Sequence, residues 1–248
     1  MGWQMISIVG GLRALMVAAS CTLVYTSSSP TYAEKVIRAA FPSAERGFDC
    51  AAESDEVTGT LCDNMYDSLL QYDYLARPVV LQPRAAAAMP EISADGRTYT
   101  FRIKREITFT EHKVFGGVRR ELTSRDYAYS LKRLLDPKVK AQWQFLVEGK
   151  FIGLDELQSD AKKTGRFDYD KPVRGIETPD PYTLILRLKE PDYNLNYILA
   201  MPATAAVARE VVEFYGSAFA ENPVGTGPFM LKDWRRSSRI TMVRNPNY

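Results

Sequence analysis

Alternation of wet and dry positions is clearest between Asp95 and Pro137. Thr98, Thr100, Arg102 and Lys104 alternate with Tyr99, Phe101 and Ile103, which predicts a strand with one buried face. Asp95-Gly96 ahead of it is a turn pair whose glycine accepts a positive φ at no steric cost. Ile107-Thr108-Phe109-Thr110 continues the extended pattern, and Gly116-Gly117 breaks it. The period then becomes helical, with Tyr127, Leu131, Leu134 and Leu135 on one face. Thr123 is the expected N-cap, Asp126 sits where a capping-box acid belongs, and Pro137 stops the helix after Asp136.

The rest of the chain divides the same way. Lys35 to Phe41 is expected to be the first strand of the mature protein. Within 54–72, Val57, Leu61, Met65 and Leu69 recur at helical spacing. Residues 77–92 carry Pro78, Pro83 and Pro90 around Ala85–Ala88, a connector with about one turn of helix. Short helices are expected at 139–146 and 154–163, the second ended by Gly165. Residues 173–178 and 182–188 read as a hairpin around Pro179-Asp180-Pro181, followed by helices at 193–199 and 205–215. In Asn222-Pro-Val-Gly-Thr-Gly-Pro-Phe229, the Gly225-Thr226-Gly227 bend offers backbone donors and acceptors to a ligand. A purely architectural role, in which the glycines only turn the chain, stands beside that reading.

Composition narrows the class. The chain has 248 residues, 46% hydrophobic and 25% charged, enough for a core and for one or two domains. A net charge of +2 gives no argument for nucleic acid or an acidic membrane surface. One histidine, His112, and three cysteines leave little for a metal site or a histidine-based triad, so no cofactor and no metal are expected. His112, between Glu111 and Lys113, reads as a solvated surface residue. G-x-S-x-G, H-E-x-x-H and a phosphate-binding G-x-x-x-x-G-K-(S/T) are all absent.

At the start, Ala14 to Tyr25 is an apolar run too short to span a bilayer comfortably, as in the middle of a signal peptide. Thr31-Tyr32-Ala33 fits cleavage after Ala33. A competing reading makes Ala18-Ala19-Ser20-Cys21 a lipobox with Cys21 lipidated, and an uncleaved anchor is a third, because Met5 to Leu12 is also largely apolar. Export leads to an oxidising compartment, where Cys50 and Cys62 either pair or remain two buried thiols.

Several phrases resemble one family. D-G-R-T-Y-T-F-R-I-K (95–104), L-T-S-R-D-Y-A-Y-S-L-K-R (122–133), Y-D-S-L-L-Q-Y-D (66–73), I-E-T-P-D-P-Y-T-L (176–184) and N-P-V-G-T-G-P-F (222–229) are similar to the peptide/nickel solute-binding proteins, family 5, the extracytoplasmic receptors of ABC importers. Cys50 stands where the family usually has proline after the aspartate at 49.

The resemblance implies an α/β fold: a type II periplasmic-binding-protein lobe, with a mixed sheet, flanking helices and a smaller α+β subdomain. The implied organisation is a signal peptide at 1–33, the first part of the lobe at 34–71, the inserted subdomain at 72–175 and a return to the lobe at 176–248. The sheet is expected to combine the first strand with the segments near Tyr182 and Phe229. Family members continue well beyond N-P-N-Y, so a second lobe is expected to be missing here, whether the chain is a fragment, a truncated product or a separately encoded half.

The resemblance further implies a non-enzymatic, periplasmic receptor for peptides, working with a membrane permease and an ATPase. Asp49, Cys50, Val224, Gly225, Thr226 and Gly227 are the candidate cleft-facing residues, Thr226 through its hydroxyl and Gly225 through its backbone. A single histidine does not furnish a nickel site made of imidazoles alone. A solute sensor on the same fold, and more remotely a secreted hydrolase using paired carboxylates, are the alternatives.

Overall fold

The computed structural model describes residues 35–248. The signal peptide expected at 1–33, its cleavage after Ala33 and the Cys21 lipobox lie outside the described residues.

Helix α1 (Glu56–Met65) is opened by Asp55, whose carboxylate accepts the Thr58 N–H at 2.8 Å, and it buries Val57, Leu61, Cys62 and Met65. The helical spacing continues to Leu69, but the helix does not. Tyr66 turns extended, the Asp67 carbonyl accepts from the Tyr127 hydroxyl and the Ala206 N–H, and β1 (Leu70–Tyr72) begins, paired with β2 (Leu81–Pro83). Tertiary bonds that claim the backbone acceptor override the local period here.

The largest sheet follows from the alternating segment. Strands β3 (Glu91–Ile92), β4 (Thr98–Arg102), β5 (Ile176–Asp180) and β6 (Thr183–Arg187) lie in the order β3-β4-β6-β5, every pair antiparallel. Tyr99 faces Leu186 and Phe101 faces Leu184 in the β4–β6 register, and all four are buried. Helix α2 (Ser124–Arg133) packs on β5 and β6. At its start the Asp126 carboxylate accepts both the N–H and the hydroxyl of Thr123, at 2.8 and 2.9 Å. Tyr127, Leu131, Leu134 and Leu135 are all buried, as their spacing predicts. The α-helix ends at Arg133, and Leu135 and Asp136 continue in tighter turns, because Pro137 disfavours the α conformation of the residue before it.

Helix α3 (Leu154–Thr164) ends on left-handed Gly165. Residues 139–146 are turns with one 3-10 segment, Gln144–Leu146, rather than the helix that their pattern suggests. Two short helices, α4 (Leu195–Ile198) and α5 (Arg209–Tyr215), precede a hairpin of β7 (Phe229–Arg235) and β8 (Arg239–Arg244). Trp234 of β7 meets Phe48 edge to face at 5.0 Å, and α1 packs on β7.

Two expectations about sheets are corrected. Residues 35–41 form no strand among the described residues. The segments near Tyr182 and Phe229 lie in different sheets, one paired with β4 and the other with β8. The main sheet joins strands on both sides of residue 175. Alternation reports which face of a strand is buried, and says nothing of its neighbour.

Candidate functional site

The Asn222–Phe229 bend is held against the end of α1 by backbone contact. A Cβ on Gly225 would come within 1.9 Å of the Met65 carbonyl oxygen, and one on Gly227 within 2.7 Å of the Asn64 carbonyl oxygen. Only glycine permits that approach. The Gly227 N–H donates to Met65 O at 2.9 Å, and Gly227 O accepts from the Asn245 amide at 2.9 Å. The Gly225 carbonyl accepts the Thr110 N–H at 2.9 Å. The backbone groups expected to meet a ligand are therefore largely engaged inside the fold, and Val224, Gly225, Thr226 and Gly227 are all buried.

Asp49 and Cys50 are engaged as well. The Asp49 carboxylate is buried and receives both terminal nitrogens of Arg133, at 3.0 and 2.7 Å. Cys50 and Cys62 are joined by a disulfide with their Cα atoms 6.0 Å apart. The two candidate groups meet at Tyr66. Its hydroxyl donates to Phe48 O at 3.3 Å, and its ring lies 3.0 Å from the position of a Cβ on Gly225. Burial, and then the Asp49 charge, push the Tyr66 phenol far up, so it stays a neutral donor.

Thr226 differs from its neighbours. It lines a cavity of about 380 Å³ with Asp67, Arg84, Thr108, Asn247 and Tyr248 among the other walls. The hydroxyls of Thr226 and Thr108 are buried and have no hydrogen-bond partner. An unpaired buried hydroxyl costs about 1–3 kcal/mol, which calls for a compensating role. Arg84 Nε donates to Asp67 at 2.7 Å and Nη1 to Asp63 at 2.6 Å. Burial opposes the Arg84 charge, but Asp67 and Asp63 more than offset it, and the guanidinium is held protonated. Glu106, another wall residue, has a φ of 66°, a left-handed conformation that costs a non-glycine residue energy.

Asp67, Arg84 and Thr108 were not among the residues singled out from sequence. Asp67 lay in plain view beside Tyr66 within a family phrase, whereas Arg84 sat in a proline-rich connector that carries no chemical pattern of its own. His112 is also corrected. It is half-buried, Nδ1 accepts the Val114 N–H, and Nε2 lies 2.9 Å from the Tyr215 hydroxyl among the rings of Phe115, Phe214 and Tyr215. Among the described residues, no group of three His, Cys, Asp or Glu side chains is placed to hold a metal ion.

Comparison with known proteins gives the class. The fold is that of the periplasmic oligopeptide-binding receptors: the peptide-bound OppA of Listeria monocytogenes superposes with a TM-score of 0.67 at 24% identity, over 82% of this chain and 37% of that one. The model of the bacterial extracellular solute-binding proteins, family 5, matches residues 80–248, and the chain belongs to that family. It is similar to the dipeptide-binding protein DppE of Bacillus subtilis (strain 168), 29% identical over 222 residues, 88% of this chain and 37% of the relative. The dipeptide-binding protein of Lactococcus lactis subsp. cremoris (strain MG1363) is 24% identical over 240 residues, 94% of this chain and 40% of the relative. The chain thus spans about two-fifths of the length of these curated relatives.

Proposed function

We propose that this chain provides one lobe of an extracytoplasmic peptide receptor that delivers its ligand to the permease and ATPase of an ABC importer. The observation that carries this reading is the cavity at Thr226, where a bend fixed by Gly225 and Gly227 brings an unpaired hydroxyl beside Thr108 and the Asp67–Arg84 pair. Peptide groups offer the donors and acceptors that such hydroxyls lack, once binding shifts the wall that shields them from solvent. The dipeptide-binding names of two relatives and the peptide in a structural neighbour support the same ligand class. Export through a signal peptide, and release to the periplasm after Ala33 rather than lipidation at Cys21, belong to this proposal.

Receptors of this kind close two lobes over a ligand on a hinge. A single lobe leaves the ligand open to water, where its polar contacts compete with solvent. Losing half of the roughly 8 kcal/mol of a micromolar site leaves millimolar binding, which is the affinity proposed for one such lobe alone. The smaller subdomain is proposed to include the β5–β6 hairpin, since that hairpin completes its sheet. Calorimetric titration with di- and tripeptides, a sugar and a metal chelate tests the assignment. Heat from peptides alone is expected, and tight binding of the sugar or chelate instead would refute it.

A further inference from the structure

Residues 110–119 form a loop that closes at its neck and docks on α5 through His112. The Phe109 N–H donates to Arg120 O at 2.9 Å, and Thr108 bridges Glu121, so the neck of the loop is closed. Within it, Lys113–Phe115 forms one 3-10 turn, and Gly116 and Gly117, with φ of 60° and 80°, bring the chain back. Loops closed in this way are usually packed by their own side chains. This one is hollow. A cavity of about 350 Å³ is walled by the loop and its neck, with Asn247 as the one outside residue. That volume suits a single side chain or a small molecule.

The walls define a chemistry. Half-buried Phe115 and Val118, which is 71% exposed, supply apolar surface, with buried Phe109 behind Phe115 at a ring-centroid distance of 6.3 Å. Arg120 is engaged by Asp126 and Glu210. Lys113 lies over the Phe214 ring, 4.7 Å from its centroid, Arg119 and Lys113 form no ion pair among the described residues, and Glu111 is the only acid on the wall. An exposed apolar surface beside unpaired cations suits a compact apolar group with an adjacent anion.

We propose that the hollow of the 110–119 loop binds a hydrophobic side chain carrying a neighbouring carboxylate, as in the C-terminal residue of a peptide or a free acylated amino acid. Phe115 and Val118 receive the side chain, and Arg119, with Lys113 beside it, receives the carboxylate. Only the peptide source rests on the receptor reading given above. The free acid needs nothing from it.

His112 lines the same cavity and is the only histidine of the chain, so its ring protons report occupancy without a label. The chain is titrated by proton NMR with N-acetylphenylalanine, with its amide, and with a tetrapeptide ending in phenylalanine. The acid should shift the His112 resonance saturably, and the amide should bind about tenfold more weakly, as loss of a charge-assisted contact implies. Arg119→Glu should weaken the acid by a similar factor and leave the amide unchanged. Equal response to acid and amide, or no response to either, would overturn the proposal. A peptide that binds without moving His112 would also overturn it, while leaving the receptor reading intact. Binding of the acid with no peptide binding would uphold the site and remove the receptor reading.

Discussion

Asp49 and Arg133 meet edge to edge, with Nη1–Oδ1 at 3.0 Å and Nη2–Oδ2 at 2.7 Å, and both side chains are almost wholly out of water. Arg133 is the last residue of α2, and Asp49 lies ahead of α1, so the pair ties two distant parts of the chain together. The Arg133 guanidinium also sits 5.2 Å over the Phe219 ring.

Breaking that pair from one side strands a buried charge. Asp49→Ala is expected to destabilise by about 3–5 kcal/mol, and replacing both residues by apolar ones should cost far less. Urea unfolding of the two variants measures the difference. Were Asp49 instead a ligand contact, Asp49→Ala would lower peptide affinity and leave the unfolding midpoint in place.

The glycines of the bend should differ from those of the 110–119 loop. Gly225→Ala puts a methyl group 1.9 Å from the Met65 carbonyl and should cost about 3 kcal/mol or more through backbone displacement. Gly116→Ala meets nothing within 4 Å but must hold a φ of +60°, a penalty of about 1 kcal/mol. Thermal unfolding of the two proteins side by side checks the ranking, and equal losses would refute the close-approach argument.

Reduction should weaken the fold. The Cys50–Cys62 bond closes a loop with a sequence separation of 12, for which the chain-entropy relation gives about 3 kcal/mol. Adding a thiol reductant should lower the unfolding midpoint of the native protein and leave a Cys50→Ala/Cys62→Ala variant unaffected.

How much of this was legible beforehand varied with the physics involved. The buried set Tyr99, Phe101, Tyr127 and Leu131 follows from period alone, and the Thr123–Asp126 cap follows from residue type and spacing. Strand partners did not follow, since β4 finds β6 across some eighty residues and no local pattern encodes that choice. At the site, Thr226 was marked by its glycine bend. Arg84 and Thr108 become visible only when the fold brings them to the same cavity. Asp49 and Cys50 were expected to face the ligand, and their side chains are taken by Arg133 and Cys62.

His112 should make stability depend on pH. Its ordinary pKa is 6.5, and burial, followed by the Lys113 charge, holds the folded value lower. Between the two values the unfolded chain binds more protons than the folded one, so stability is complete above the ordinary value and is lost as pH falls toward the folded one. Unfolding free energies of the native protein and of His112→Gln, compared across the weakly acidic range, should converge as the pH drops. Parallel curves would show that His112 contributes nothing to the dependence.

The central claim is that the Thr226 cavity receives the ligand, and Thr226→Val tests it most directly. Valine keeps the shape and removes a hydroxyl that has no partner in the ligand-free fold. Calorimetry of peptide binding should therefore show affinity reduced about tenfold, the worth of one buried hydrogen bond, while the unfolding midpoint stays level or rises. Unchanged peptide affinity in a stably folded Thr226→Val protein would contradict the account.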